Sequence, residues 1–328
     1  MSIRITRRGT LAGTLAGALA TPAVASAQGA WPTRPVRVIV PFAAGGGTDV
    51  AARVYVVRMS ELLGQPMVID NRGGSGGNIG ADMVVRAPPD GYTILLTSNG
   101  PSTVNRFLYK DMTFDPQRDL LPVGQIFRIE QLLVVTPTLA ANSVAEYIAL
   151  ARAKPGEITA GSGGSGSSIH LALELFKLRT RTNIVHVPYR GGGPAMTDLV
   201  AGTIHSMFDS MPSSLPQIRA GRVRPLGMCG AKRHPLLPDV PTIQESAVPG
   251  YDAGTWIALF APLGTPPAIV QRLSEASAAA LAEPGLSEGL AKVGADAASS
   301  TPQELADLMR RETAVWGEVV REAGITAN

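Results

Sequence analysis

Apolar and polar positions along this chain repeat a three-part unit: a short aliphatic run, a glycine-rich loop, then apolar residues at helical spacing. Val36-Arg37-Val38-Ile39-Val40 is a β-branched run and predicts a strand. The loop Pro41 to Gly47 follows. Thr48 or Asp49 can cap a helix whose expected apolar face is Val50, Val54, Val57 and Leu62, stopped by Gly64 and Pro66. Met67-Val68-Ile69 predicts the next strand, Gly73-Gly74-Ser75-Gly76-Gly77 the next loop, and a helix runs through Val85. Thr93-Ile94-Leu95-Leu96 is a third strand, ending in Ser98-Asn99-Gly100. This βαβαβ order implies a parallel sheet covered by helices.

The unit restarts with a strand at 131–136, a helix at Val144–Ala153 and a strand at 158–160 that leads into the Gly/Ser loop 161–168. A helix with apolar Ile169, Leu171, Leu175 and Leu178 follows, then a strand at 184–187 and the loop Pro188-Tyr189-Arg190-Gly191-Gly192-Gly193-Pro194. A helix at 195–201 and strands at 206–208 and 223–228 complete this half. A strand at 256–261 and amphipathic helices at Pro267–Ala282 and Pro302–Ala323 close the chain. The expected organisation is two α/β lobes, the second inserted in the first: 31–125 plus 255–328, and 126–254, with crossings near 126–135 and 251–261.

Composition narrows the function classes. The 328 residues leave room for two domains at about 150 residues each. At 45% apolar and 17% charged the chain can bury a large core. No stretch of the mature region approaches the ~20 uninterrupted apolar residues of a membrane span. Cys229 is the one cysteine, which excludes an intramolecular disulfide framework and a cysteine-based zinc site, and it is expected to be buried. His170, His186, His205 and His234 form no HExxH and no tight cluster, so no metal is expected. The N-terminus carries Arg4, Arg7 and Arg8, an apolar stretch from Leu11 to Ala23, and Ala25-Ser26-Ala27, the layout of a cleaved export signal over 1–27. Thr6-Arg7-Arg8-Gly9-Thr10-Leu11 also fits a twin-arginine signal or an ordinary basic start. Without residues 1–27 basic and acidic side chains are equal in number, which gives no electrostatic footprint for nucleic acid. Export places the mature chain in a bacterial periplasm.

The glycine loops carry the candidate chemistry. Loops at the C-terminal ends of parallel strands present backbone N–H groups and the positive ends of helix dipoles, which attract anions. The loops at 41–48, 98–100, 161–168 and 188–193 share this layout. None carries the lysine of a P-loop, which argues against nucleotide hydrolysis. Gly161-x-Gly163-x-x-Gly166 has the spelling of a dinucleotide fingerprint, but the strand at 184–187 ends in Val187-Pro188-Tyr189 with no acid for a ribose. Gly73-x-Ser75-x-Gly77 has that of a nucleophile elbow, with Asp198 or Asp209 and His234 downstream, yet the repeated glycines around Ser75 lack the bulky strand-to-helix context and no oxyanion HGGG is present. His170 reads as a capping or packing histidine. Asp209 could receive a ligand amine or cap the next segment, and Phe42 and Tyr189 could line a cleft or pack.

Several of these strings resemble one family. Pro41-Phe42-Ala43-Ala44-Gly45-Gly46-Gly47-Thr48-Asp49 resembles the PFxxGGxxD segment of the Bug family, the extracytoplasmic solute-binding proteins of tripartite tricarboxylate transporters. Asn71-Arg72-Gly73-Gly74-Ser75-Gly76-Gly77-Asn78-Ile79-Gly80, Pro89-Asp90-Gly91-Tyr92-Thr93, His186-Val187-Pro188-Tyr189-Arg190-Gly191-Gly192, Phe208-Asp209, Leu237-Pro238-Asp239-Val240-Pro241-Thr242 and Pro249-Gly250-Tyr251 continue the resemblance in order. It implies an α/β fold of the periplasmic-binding-protein type II kind, two lobes with a ligand cleft between them. It implies no cofactor and no catalysis, a monomer, capture of a small carboxylate (a dicarboxylate, aromatic acid or amino acid), and delivery to membrane permease subunits. It also implies a site: Phe42, Ala44, Gly45, Gly46 and Thr48 facing Ser162, Ser165 and Ser167, with Ser98 and Asn99 in a third loop, Tyr189 and Gly191 in a fourth, and Asp209 beyond. Ser210 stands where the family often has Asn, and the loop Gly163-Gly164-Ser165 lacks the family's Asn. The other function classes for such a chain are a periplasmic enzyme acting on a carboxylate and a ligand sensor for a signalling receptor.

Overall fold

The computed structural model describes residues 31–327; the export signal expected over 1–27 lies outside them. In chain order the first part holds β1 (Val36–Val40), α1 (Gly47–Leu63), β2 (Met67–Asn71), α2 (Asn78–Val85), β3 (Thr93–Ser98), the single turns α3 (Asn105–Leu108) and α4 (Pro116–Asp119), and β4 (Leu120–Ile129). The middle part holds β5 (Gln131–Val135), α5 (Val144–Ala153), β6 (Thr159–Ser162), α6 (Ser168–Thr180), β7 (Val185–Pro188), α7 (Gly192–Ala201), β8 (Ser206–Ser210), α8 (Met211–Arg219), β9 (Arg224–Met228) and the turn α9 (Ile243–Ser246). The last part holds β10 (Thr255–Pro262), α10 (Pro267–Ala282), α11 (Pro284–Lys292), β11 (Ala295–Ala297) and α12 (Pro302–Ala323).

These strands form two sheets, and each is the centre of one lobe. The first has the order β11-β4-β10-β3-β1-β2 and the second β7-β6-β8-β5-β9. β1 lies parallel between β2 and β3, as the βαβαβ pattern requires. β10 returns antiparallel between β3 and β4. In the second sheet β6 runs parallel to β7 and β8, and β5 runs antiparallel to β8 and β9. The chain leaves the first sheet after Ile129 and enters the second at Gln131, so Glu130 is the whole of one connection. The return runs through the segment between Met228 and Thr255.

Strands covered on both faces are buried throughout: β5, β8 and β10 are buried at every residue, the polar Gln131, Ser206, Asp209, Ser210 and Thr255 included. Leu133, Val135, Phe208 and Leu226 serve one face of the second sheet, against Tyr147 and Phe176. Leu132, Val134, Met207 and Met228 serve the other, against Leu199 and Leu215. On the first sheet Ile39, Leu95 and Phe260 pack with Val84 of α2 and Leu305 and Met309 of α12.

The helix at 47–63 turns a different face inward from the one its pattern predicts. Ala51, Ala52, Tyr55, Val56, Met59 and Leu63 are buried, whereas Val57 is exposed. Apolar residues run all round this helix, and the small Ala51 and Ala52 admit the closest approach to the sheet. Nor do Thr48 or Asp49 cap it: the helix begins at Gly47 with Gly46 as its N-cap.

Candidate functional site

The loop after β1 is folded by one carboxylate. Asp49 is buried and accepts the Gly45 N–H at 2.9 Å, the Arg53 guanidinium through both oxygens, and Asn71 Nδ2 at 3.1 Å. Asn71 also donates to the Phe42 carbonyl at 3.0 Å. Because Asp49 turns back to Gly45, no side chain caps the first amides of α1. They remain as donors at the positive end of a 17-residue helix.

In the second lobe two histidines shape the glycine loop. Ser162 Oγ lies 2.5 Å from His186 Nε2 and accepts the Gly164 N–H at 3.0 Å. His186 stacks on His170 with ring centroids 4.0 Å apart. His170 Nδ1 accepts the Gly166 N–H at 3.0 Å, and its Nε2 faces Glu174, which also holds Lys177. Burial, with the neighbouring His170 adding to it, pushes His186 down to about 3, so His186 works as a neutral ring. His170 is the packing histidine that its position suggests.

These loops meet the first lobe along a seam of backbone. The Ala43 N–H donates to the Arg190 carbonyl at 2.9 Å, and Tyr109 Oη donates to the Ser165 carbonyl at 2.8 Å. Glycine makes the approach possible. A Cβ on Gly73 would sit 2.1 Å from the Arg190 oxygen, on Gly100 2.2 Å from the Gly166 oxygen, and on Gly193 2.3 Å from the Ala44 oxygen.

Inside the seam lies a small cavity of about 20 Å³, room for roughly one water-sized group. Phe42, Gly46, Gly47 and Thr48 line it from the first lobe, and Gly163, Ser167, Ser168, Ile169, Gly192 and Ser210 from the second. The first residues of α1, α6 and α7 therefore point to one place. α1 and α7 have no side-chain cap, while Ser167 caps α6 by accepting the His170 N–H. None of the lining residues is charged.

The residues expected from the sequence divide accordingly. Phe42, Gly46, Thr48 and Ser167 line the cavity. Ala44 and Gly45 sit exposed on its outer rim. Ser162 is engaged with His186, and Ser165 presents its carbonyl to Tyr109. Gly191 packs on Ala43. Ser98 is buried at the end of β3, outside the lining. Asn99 Oδ1 accepts Thr255 Oγ1 at 2.9 Å, and its Nδ2 reaches Glu312. Tyr189 turns outward and donates to Asp198 at 2.6 Å. Gly47, Gly163, Ser168, Ile169, Gly192 and Ser210 join the lining without having been singled out by type. Their signal is position: Gly163 directly follows a strand, and the others stand at or beside the first residue of a helix after a strand.

Asp209 stands behind Gly192. It is fully buried; its Oδ2 accepts the hydroxyls of Ser213 at 2.5 Å and Ser214 at 2.7 Å, while its Oδ1 has no partner. Oδ1 lies 3.4 Å from where a Cβ on Gly192 would be. Burial pushes the carboxyl up to about 6 against the pull of the two serines. The hydrolase spelling finds no counterpart: Asp198 is bound to Tyr189, Asp209 to its serines, and His234 Nδ1 accepts the Leu236 N–H.

Known proteins resemble this chain in sequence and fold. Residues 51–325 match the tripartite tricarboxylate transporter family receptor. Protein BugT of Bordetella pertussis is 38% identical over 90% of this chain and 90% of its own. The structure of Rhodopseudomonas palustris Rpa4515 with adipate is similar at 42% identity and a TM-score of 0.87, covering 90% of this chain and 99% of that one. MatC from the same organism, with bound malate, is similar at 32% identity and a TM-score of 0.84, covering 88% of this chain and all of that one. The chain belongs to the receptor family of tripartite tricarboxylate transporters, the family of the Bug solute-binding proteins.

Proposed function

We propose that this protein captures a small carboxylate in the cavity between its lobes and delivers it to the membrane permease subunits of a tripartite tricarboxylate transporter. The observation that carries this reading is the convergence of three helix N-termini, two of them without a side-chain cap, on one small cavity without a charged side chain. Backbone N–H groups and serine or threonine hydroxyls can hold a carboxylate without an arginine. Adipate in Rpa4515 and malate in MatC support the same ligand class. A cavity about one water wide takes the carboxylate group, and a longer ligand holds the lobes further apart.

The proposed contacts are Phe42, Gly46, Thr48 and Ser167 with their cavity neighbours; Ala44, Gly45, Ser98, Asn99, Ser162, Ser165, Tyr189, Gly191 and Asp209 shape or border the site. The proposed hinged lobes are 31–125 with 255–328 and 126–254. The protein acts as a monomer and does no chemistry on its ligand. It is exported with loss of residues 1–27, by the twin-arginine or the general route. A thermal-shift screen of mature protein against dicarboxylates, aromatic acids and amino acids tests the reading. A ligand at 100 times its Kd stabilises by about 2.7 kcal/mol. A screen in which no carboxylate raises the melting temperature overturns it.

A further inference from the structure

We propose that Asp209 takes up a proton when an anion enters the cavity, so that ligand capture by this receptor is proton-linked. The proposal rests on the carboxylate reading of the cavity given above. Its geometry is specific. Asp209 Oδ1 is buried without a partner and lies 3.4 Å from the Cβ position of Gly192, a lining residue that carries no side chain to screen it. Ser210, the next residue, also lines the cavity. An anion held there opposes a second negative charge a few Å away in a dry setting, and the cheapest relief is protonation of the carboxylate.

Among the described residues no cation pairs with the ionised form. The charged and titratable groups on the elements packed around Asp209 are engaged elsewhere or exposed. Asp49 of α1 is held by Arg53 and Asn71. Glu174 and Lys177 of α6 pair with each other, beside His170. Asp198 of α7 takes the Tyr189 hydroxyl, Arg219 of α8 is exposed, and Glu130 before β5 accepts the Gly230 N–H. β6 carries no charged residue, and His186 of β7 is bound to Ser162. Asp209 is held by two serine hydroxyls on the same oxygen and, more weakly, by the Ser210 backbone N–H, none of which carries a charge. With its carboxyl already raised to about 6, it is mostly ionised at pH 7 in the empty protein and has a proton to gain.

Calorimetry of the mature protein in two buffers of different ionisation enthalpy, neither a carboxylate, reads the protons exchanged per ligand bound. The probe is the tightest amine-free acid of the screen above, with adipate and malate tried first. Uptake approaching one proton per anion near pH 7, fading below about pH 5, is expected, with affinity falling up to about tenfold per pH unit from 6 to 8. Asp209→Asn should keep binding and lose the uptake. Where that variant does not fold, Ser213→Ala removes one donor to the carboxylate and should move the uptake maximum to higher pH; an unmoved maximum overturns the proposal. Binding with no proton exchange, or with release, overturns it and leaves the function standing. Uptake that survives Asp209→Asn belongs to another group and also overturns it. Binding confined to amino acids overturns it, because their ammonium would pair with ionised Asp209. No carboxylate binding at all overturns the function and this proposal together.

Discussion

Gly46→Val isolates the anion grip from the fold. Gly46 has φ −76° and ψ 162°, a conformation open to any L-residue, so the substitution tests space rather than backbone strain. A Cβ there would lie 3.4 Å from the Gly192 N and 3.5 Å from the Gly193 N, in ordinary contact. The two further methyls of valine must then cover those first amides of α7 or hold the lobes apart. Losing one hydrogen bond to a charged ligand costs about 1.5–3 kcal/mol, so losing both costs about 3–6 kcal/mol. That is a factor of roughly 10² to 10⁴ in Kd. The fold should notice little, since glycine and other residues differ at an N-cap by about 1 kcal/mol. Calorimetry with the best acid of the screen, beside a melting curve, separates the two effects. A folded Gly46→Val protein that binds with unchanged affinity would place the ligand outside this cavity.

Two other perturbations act at a distance from the cavity. Gly100→Ala puts a Cβ 2.2 Å from the Gly166 oxygen across the seam, at a residue without positive φ, so it should weaken binding at least tenfold by opposing closure; small-angle scattering that shows the same ligand-induced compaction as the parent would refute this. Glu130, at the crossing between the sheets, is raised from 4.5 to about 7 by burial, with Asp252 and Asp296 adding to it against the Gly230 N–H. A carboxyl raised by folding stabilises the native state while protonated and loses that contribution as pH climbs from about 5 to 7, here about 3 kcal/mol. Glu130→Gln keeps an acceptor for Gly230 and should raise the melting temperature at pH 8 by several degrees while changing it little at pH 4.5. Melting curves with an unchanged pH profile would refute the assignment.

How far the sequence is readable depends on whether the deciding interaction is local. β1, β3 and β5 are short β-branched or aliphatic runs, and α10 and α12 have clean amphipathic spacing, so their spans are legible. β4 is not, because Pro122, Gly124, Gln125 and Arg128 break its alternation, and only pairing with β10 makes it a strand. Pro212 and Pro216 hide α8 in the same way. The glycine loops are legible as strand-to-helix loops, but the division of labour among their glycines is not. Gly46 and Gly192 face the cavity while Gly73, Gly100 and Gly193 face backbone of the other lobe, and nothing in the local spelling separates them. Asn99 and Tyr189 leave the lining through bonds to Thr255 and Asp198, the first of them 156 residues away.

The same seam explains why a ligand should be needed to keep the lobes together. Closure brings hydrogen bonds that include Ala43 to Arg190 and Tyr109 to Ser165, and an apolar cluster in which Leu171 of α6 meets Val104 and Leu108 of the first lobe with Val320 and Ile325 at the C-terminal end. These favour the closed form modestly, since a net hydrogen bond contributes about 1 kcal/mol. Against them stands electrostatics. Closing gathers the positive ends of α1, α6 and α7 around a space too small for enough water to solvate their amides. Unliganded, that gathering costs free energy; with a carboxylate in place the same amides become charge-assisted donors, and the sign of the term reverses. The lobes then close in proportion to what the anion gains from both sides at once, which a neutral molecule of the same shape cannot supply.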